Sequence, residues 1–273
     1  MSDLLADLAE EARDRALRGR RSLPLDNLRS RAAALPRPLP LAEALGSAPA
    51  AIAGPRLRVI AELKAASPSS GRLRDPFEAE RLAGELSAAG AAALSILTEE
   101  RHFGGSLENL GLARRAAPRL PLLRKDFILD PWQVWEARAA GADGVLLITR
   151  LLPGTDLEAL LATCAEAGLA ALVETHDGEE IQRAVDAGAT LVGVNARDLS
   201  DFSVDRRRAV ALAGLVPDDL LAVAESGVRG VGDLQELADA GYDAALVGTA
   251  LMRAVSPGRE LRSWIEALTP GLA

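Results

Sequence analysis

Eight short apolar runs, separated by Ala-rich segments of helical periodicity, constrain the fold of this chain more than any other feature of its sequence. The runs cover residues 59–63, 92–97, 120–123, 144–148, 170–173, 191–194, 221–224 and 244–247. Such alternation is typical of parallel strands joined by helical crossovers, and eight strands close a parallel barrel. We therefore predict an α/β fold, a single (βα)8 barrel of the TIM type.

Ala-Gly pairs mark the ends of six predicted helices and support this repeat. The pairs are Ala89-Gly90, Ala140-Gly141, Ala167-Gly168, Ala187-Gly188, Ala213-Gly214 and Ala240-Gly241. Glycine fits the left-handed position after a helix, and the spacing is roughly 20 to 27 residues, or one βα unit, once the third unit, which ends near Ala117-Pro118, is included. An open doubly wound sheet is the alternative. Against it, no G-x-G-x-x-G follows the first run, and polar residues follow nearly every run.

Residues 1–56 lie outside the repeat and are predicted to form an N-terminal helical extension that caps the barrel of residues 57–273. An amphipathic helix is expected near the start, where Leu4, Leu5, Leu8 and Ala12 stand among charged residues. The Pro-punctuated stretch 35–50 follows, with a second short helix.

Composition excludes several classes of protein. The formal net charge of −8 and the pI near 5.0 argue against a nucleic-acid surface, which requires a clustered basic face. No uninterrupted apolar run is long enough to span a membrane. The single cysteine, Cys164, lies in a predicted helix, so we expect a buried thiol, no internal disulfide and a cytoplasmic location.

The carboxyl ends of the predicted strands carry an unusual number of charged residues, and in barrel enzymes the chemistry lies at this face. The polar and glycine residues there, together with Phe127, are Glu62, Lys64, Ser67, Thr98, Glu99, Lys125, Asp126, Glu174, His176, Asn195, Arg197, Glu225, Ser226, Gly227, Gly248 and Thr249. A single Lys or Glu after a strand is usually a solvated loop residue. Jointly, three carboxylates and two lysines would converge on one pocket and shift each other's pKa, which predicts acid–base chemistry.

Two glycines suggest an anion site. Gly227 and Gly248 follow the seventh and eighth runs, and each precedes a segment that can begin a helix. Backbone N–H groups at such positions form a nest for phosphate, which barrels commonly bind there. A simple turn is the alternative explanation of either glycine.

The segments VIAELKAASPSSG, LSILTEERHFGGS, LPLLRKDFILDPWQ, GADGVLLI, LVETH, VGVNARDLSDFSVD, AVAESGV and ALVGTALM resemble the indole-3-glycerol phosphate synthase family over residues 37–253. The resemblance implies a carboxy-lyase of tryptophan biosynthesis. Its substrate would be 1-(2-carboxyphenylamino)-1-deoxyribulose 5-phosphate, which undergoes ring closure with loss of carbon dioxide and water. It implies no metal and no cofactor, a small phosphorylated substrate as the partner, and a monomer or weak homodimer.

The resemblance also implies catalytic roles. Lys125 would protonate the ketone oxygen during ring closure, and a nearby Glu62 would keep it cationic. Glu174 would be the base of the dehydration. Lys64 would be either its acid or a cation facing the carboxylate and phosphate of the substrate.

The remaining matched positions would bind substrate, and three of them, Asn195, Glu225 and Ser226, would also belong to the catalytic set. Asn195 and Arg197 would hydrogen-bond the anthranilate carboxylate and the sugar hydroxyls, and Glu225 and Ser226 would complete the polar ring. The apolar walls would be Phe103, Phe127 and Leu146, although a core role for Leu146 is an open alternative. Phosphate would rest on Ser67, Lys64, Gly227, Gly248 and Thr249.

Four positions depart from the family pattern: Ser70, Thr175, Ala196 and His102. None removes a predicted catalytic group, but Ala196 is expected to lower affinity because it replaces an amide. His176 is expected to orient or pack, and the N-terminal extension to help enclose substrate. Phosphoribosylanthranilate isomerase, the tryptophan synthase α subunit and an inactive scaffold are the alternative functions; the lysine pair and the Asn195–Arg197 strand end favour the synthase.

Overall fold

The protein, described here from a computed structural model, is a closed barrel of eight parallel strands wrapped by helices. The structure describes residues 4–46, 57–68, 70–197 and 203–269. The barrel strands are β1 (Arg58–Leu63), β4 (Ala93–Leu97), β5 (Leu122–Lys125), β6 (Gly144–Ile148), β7 (Ala170–Thr175), β8 (Leu191–Asn195), β9 (Leu221–Glu225) and β10 (Ala244–Val247). Strands β2 (Ala66–Ser67) and β3 (Gly71–Arg72) form a small antiparallel hairpin above β1.

Helices alternate with the strands, as the apolar runs predict. Their bounds are α1 Leu4–Ser22, α2 Leu25–Ala33, α3 Leu41–Leu45, α4 Ala79–Ala88, α5 Glu108–Ala116, α6 Pro131–Ala139, α7 Asp156–Ala167, α8 Gly178–Asp186, α9 Arg206–Leu212, α10 Val231–Asp239, α11 Thr249–Arg253 and α12 Pro257–Leu268. Short 3-10 helices cover Thr149–Leu151 and Ala213–Leu215. The barrel closes because β1 pairs with both β4 and β10.

Two of the differences from the sequence prediction concern the start of a strand and the end of a helix. The third barrel strand begins at Leu122 rather than at residue 120, since Pro121 has no N–H to donate to the ladder. Of the six glycines predicted to follow helices in a left-handed conformation, five have positive φ, but Gly214 does not and lies inside a 3-10 helix. That part of the prediction was wrong.

The core has two layers. An outer layer lies between the strands and the surrounding helices and contains most of the buried apolar residues. An inner cluster fills the barrel with side chains such as Ile60, Leu123, Leu172, Val223 and Leu246. The interior of the barrel is therefore a packed core.

The N-terminal segment contacts both ends of the barrel. Leu5 and Leu8 of α1 and Leu41 and Leu45 of α3 all belong to the inner cluster. Helix α3 lies at the amino ends of the strands, because a Cβ on Gly144, the first residue of β6, would meet Leu41 at 2.7 Å. Helix α2 packs on the outer face of α6. The predicted N-terminal helix is confirmed, whereas the boundary at residue 56 lies outside the described residues.

Two smaller expectations can be compared with the structure. Cys164 is buried on α7, as predicted, and burial raises the pKa of its thiol to about 12. Within the described ranges, none of the helices has the length and apolar character that crossing a membrane would require.

Candidate active site

A cavity of about 540 Å³ opens at the carboxyl ends of the barrel strands. Every site residue predicted from the sequence lines it: Glu62, Lys64, Ser67, Phe103, Lys125, Phe127, Leu146, Glu174, Asn195, Arg197, Glu225, Ser226, Gly227, Gly248 and Thr249. Several of these polar residues are the final residues of their strands rather than loop residues, since β5, β8 and β9 end at Lys125, Asn195 and Glu225. Rigid strands therefore hold them.

Lys125 lies between two buried carboxylates. Its Nζ is 3.0 Å from Oε2 of Glu174 and also contacts Oε2 of Glu225. Glu174 and Glu225 are only 2% and 1% exposed. Because buried carboxylates without partners are strongly disfavoured, the ammonium group of Lys125 is what allows them to remain here.

Lys64 forms a second pair, with its Nζ 2.6 Å from Oε1 of Glu62. The sequence analysis expected Glu62 to be the partner that keeps Lys125 cationic. The direct partners of Lys125 are instead Glu174 and Glu225, and Glu62 contributes only a longer-range attraction. The chain contains only two lysines, and both line this cavity.

The two carboxylates beside Lys125 differ in pKa. Burial by itself would raise the pKa of Glu174, but Lys125 and His176 outweigh burial and lower this pKa below its ordinary value. For Glu225, burial dominates the attraction of Lys125, and its pKa rises to about 7. Near neutral pH the site thus combines one ionised carboxylate with one that exchanges its proton readily.

Lys125 remains charged. Burial would lower its pKa, but the negative charges of Glu225 and Glu174, with a smaller contribution from Glu62, raise the pKa above its ordinary value. The ammonium group therefore carries a proton throughout the neutral range and can donate it.

Small residues make room for the charged cluster. A Cβ on Gly193 of β8 would collide with Oε1 of Glu225, and a Cβ on Gly248 would collide with Oε1 of Glu62. The same added Cβ on Gly248 would lie 3.0 Å from Nζ of Lys64. Ser226 has φ of 67°, a left-handed conformation that is uncommon for serine. Ser226 directly follows Glu225 in the chain. Backbone strain of this kind is commonly found at functional sites.

Other strand-end residues serve the architecture. Asp126 accepts a hydrogen bond from Oγ1 of Thr98 at 2.6 Å and pairs with Arg124 and with Arg15 of α1. The carboxylate of Glu99 accepts backbone N–H bonds from residues 101, 102 and 103 and so fixes the loop that carries Phe103.

A group of potential metal ligands lies beside that loop. Among the described residues, Glu11, Glu99 and His102 bring their ligand atoms within 4.8 Å of one another. Glu99 is already saturated by backbone donors, and Arg101 and Arg15 lie against the same carboxylates. We therefore infer that these three residues hold α1 against the loop after β4 and do not form a metal site.

The cavity also contains residues that the sequence analysis did not select. Apolar Leu97, Ile148 and Leu246 extend the wall begun by Phe103 and Phe127. They belong to the predicted runs and could have been found by their inward alternation. Three further cations, Arg206, Arg229 and Arg253, line the same cavity on helices or loops, where sequence carries no such signal.

The departures from the family pattern lie outside the cavity lining. Ala196 is 1% exposed and does not line the cavity. Thr175 donates from Oγ1 to the carbonyl of Gly193 at 2.8 Å and is likewise buried. Nε2 of His102 lies 3.4 Å from a carboxylate oxygen of Glu11 on α1, and Ser70 belongs to the turn above β2.

Comparisons with known proteins agree with the geometry. The family model of indole-3-glycerol phosphate synthase matches residues 5–264. A Streptomyces coelicolor protein named indole-3-glycerol phosphate synthase 2 is 46% identical over 265 residues, covering 97% of this chain and all of the relative. An indole-3-glycerol phosphate synthase of Koribacter versatilis is 51% identical over 207 residues, covering 76% and 79% of the two chains.

Solved structures show the same fold at low identity. The 3-hexulose-6-phosphate synthase of Salmonella typhimurium superposes with a TM-score of 0.63 at 15% identity, covering 78% of this chain and 98% of its own. A thiamine phosphate pyrophosphorylase of Pyrococcus furiosus gives 0.57 at 20% identity, covering 78% and 97%. At these identities the likeness concerns the barrel alone.

Proposed function

The chain belongs to the indole-3-glycerol phosphate synthase family, and from this premise we propose how the described cavity closes the indole ring. The substrate is 1-(2-carboxyphenylamino)-1-deoxyribulose 5-phosphate, and the products are indole-3-glycerol phosphate, carbon dioxide and water. The reaction makes the enzyme a carboxy-lyase. The single observation that supports the assignment best is the partly buried lysine between two buried carboxylates of unequal acidity, within a cavity that also has an apolar wall.

Substrate binding divides along the cavity. The anthranilate ring contacts Phe103, Phe127 and Leu146, while Asn195 and Arg197 hydrogen-bond the carboxylate and the sugar hydroxyls. The phosphate rests on backbone N–H groups at Gly227, Gly248 and Thr249, with the side chains of Ser67 and Lys64. The hydroxyl of Ser67 is buried without a protein partner, so it is available to a ligand oxygen.

Ring closure needs an acid. C1 of the anthranilate ring attacks the ketone carbon, and the carbonyl oxygen takes a proton from Lys125, which forms the alcohol. The ring carboxylate then leaves as carbon dioxide, and its bonding pair restores the aromatic ring. Glu225, with its pKa of about 7, can return a proton to Lys125, which it contacts directly.

Dehydration needs a base and an acid at different positions. Glu174 removes the proton from the carbon next to nitrogen, and the hydroxyl leaves as water after protonation. Lys64 is 2.6 Å from Glu62 and belongs to a different ion pair from Lys125, so it can act from another side of the substrate. It serves as this acid or as a cation for the phosphate and carboxylate.

The wider setting belongs to the same proposal. The protein acts in the cytoplasm as a monomer or weak homodimer, and residues 1–56 form an extension to the catalytic barrel of residues 57–273. Its reaction requires neither metal nor cofactor.

The test is the appearance of indole fluorescence when the purified protein meets its substrate, measured beside Lys125→Ala and Lys64→Ala. We expect turnover by the parent and a loss of kcat of about 10²- to 10⁴-fold in Lys125→Ala, because the acid is removed. In Lys64→Ala, a raised KM with unchanged kcat would assign Lys64 as a binding cation, and a lost kcat would assign it as an acid.

The control is the unfolding midpoint of each variant, because removal of Lys125 leaves two buried carboxylates without their partner. A folded Lys125→Ala that turns over normally would contradict the acid assignment. If the parent binds a substrate analogue without turnover, the sister reactions of phosphoribosylanthranilate isomerase and the tryptophan synthase α subunit become the functions to assay.

A further inference from the structure

His176 is a buried titratable residue that the proposed mechanism does not use, and it lies directly behind the proposed base. Its Nε2 is 3.3 Å from Oε1 of Glu174, and its Nδ1 is 3.0 Å from Oε2 of Glu180. The imidazole is 1% exposed. The backbone N–H of His176 also donates to Glu180 at 2.8 Å, which fixes the strand end relative to the first turn of α8.

The two carboxylates decide the protonation of the ring. A neutral imidazole has one donor nitrogen and one acceptor nitrogen, whereas carboxylates lie at both nitrogens here. Only an imidazolium presents positive charge to both carboxylates: Nδ1 hydrogen-bonds Glu180, while Nε2 contacts Glu174 as an ion pair without hydrogen-bond geometry. Oε1 of Glu174 then faces His176, and Oε2 faces Lys125 at 3.0 Å, so the base is held from two sides.

We propose that His176 is a positioning residue, an imidazolium held by Glu180 that fixes the carboxylate of Glu174 in the orientation from which it takes the substrate proton. The inference rests on the proposed role of Glu174 and deepens it. It extends the site beyond the cavity wall to α8 and to the segment after β6, where Nε of Arg150 binds Glu180 at 2.8 Å.

The charges around His176 support this assignment. Glu174 faces it from β7, Glu180 faces it from α8, and Arg150 lies behind Glu180 beside Asp177. Burial would lower the pKa of His176, but its interactions with the two glutamates outweigh burial and raise the pKa to about 9.

The direction of the pH dependence follows from the raised pKa of His176. The favourable interaction is complete below the ordinary histidine pKa of 6.5 and is lost as the pH rises through about 9. The rate that depends on an oriented Glu174 should therefore fall in the same alkaline range.

The experiment combines NMR titration with kinetics in the full-length protein. Because the chain has only two histidines, the ring signals of His102 and His176 can be assigned with His102→Asn. Glu180→Gln removes one facing charge, while its amide carbonyl can still accept the backbone N–H of His176. Glu179→Gln makes the same charge change at an exposed position of the same turn and is the matched control.

In the parent, we expect His176 to be protonated at pH 7 and kcat to decline with its titration. Glu180→Gln should lower the midpoint of the His176 titration and the midpoint of the alkaline decline in kcat, each by about one pH unit or more, the usual effect of one close charge. Glu179→Gln should move neither. His176→Gln should lower kcat about tenfold or more with little change in KM, and its profile should lack this alkaline decline.

Three results would overturn the inference: a neutral His176 at pH 7, a Glu180→Gln titration shift without a shift of the kcat profile, or an unchanged kcat in His176→Gln. A parent without turnover would contradict the proposed function and with it the positioning role. The titration would still show separately whether the imidazolium exists.

Discussion

The same N-terminal segment packs against both ends of the barrel, but with different contacts. At the amino ends of the strands, Leu41 and Leu45 of α3 are 1% and 0% exposed and pack into the inner apolar cluster. At the carboxyl ends, α1 adds ion pairs to its apolar contacts: Arg15 binds Asp126 and Arg20 binds Asp130, both at 2.6 Å.

These two kinds of contact serve different purposes: the apolar contacts at the amino ends serve stability, and the ion pairs at the carboxyl ends serve function. Apolar burial is not weakened by ionic screening and gains from complete exclusion of water, so it suits the end of the barrel against which α3 packs. The carboxyl end must admit a charged substrate and keep charged groups in place. Ion pairs there tie α1 to the loops that carry Phe103 and Phe127, and they contribute little to stability where they remain partly exposed.

The largest effect is expected at the amino ends of the strands. Leu41→Ala should lower the free energy of unfolding by about 2 to 5 kcal/mol, because it removes a fully buried side chain and leaves a cavity. The KM and kcat of the folded enzyme should change little. Chemical denaturation followed by fluorescence measures the first and steady-state assays the second. Leu17→Ala, at a residue of α1 that is 52% exposed, is the control and should be nearly neutral.

A pair of glycines offers the sharpest comparison of the two ends. In Gly144→Ala the new methyl would lie 2.7 Å from Leu41 and 3.0 Å from the carbonyl of Ala170. This overpacking should cost about 1 to 3 kcal/mol of stability and spare the kinetics. In Gly248→Ala the methyl would instead displace the Glu62–Lys64 pair, so kcat/KM should fall about tenfold or more, with a small change in stability.

Both variants should be measured by thermal unfolding and by substrate saturation. The comparison fails if Gly144→Ala impairs catalysis in the folded enzyme as much as Gly248→Ala does. It also fails if Gly248→Ala lowers stability as much as Gly144→Ala, since both glycines would then serve packing alone.

The smallest effect is expected for the ion pairs of α1. Arg15→Met should cost about 1 kcal/mol, because Arg15 is partly exposed and Asp126 keeps Arg124 and Thr98 as partners. The loss should shrink in high salt. Arg20→Met, at a more exposed pair, should cost less. A salt-independent loss of several kcal/mol in Arg15→Met would show that α1 is held at the mouth by packing, as α3 is at the other end.

Much of the site could be predicted because, in a parallel barrel, the position of a residue along its strand indicates at which end of the barrel it lies. A residue at the end of any strand of a parallel barrel faces the same mouth, so Lys125, Glu174 and Glu225 could be placed together although 100 residues separate the first from the last. Arg206, Arg229 and Arg253 could not be predicted, because their elements have no fixed register relative to the strands.

The sequence by itself determined the number of barrel strands, their parallel order and the side of the barrel that carries charge, because these depend on local periodicity and on the position of polar residues along the chain. Only the tertiary structure decided which groups pair. Lys125 binds Glu174 and Glu225 rather than Glu62, and His176 joins Glu174 to Glu180, because side-chain pairing depends on ångström distances across strands. Those distances are set by barrel closure and by the space left at Gly193 and Gly248, which no local pattern encodes.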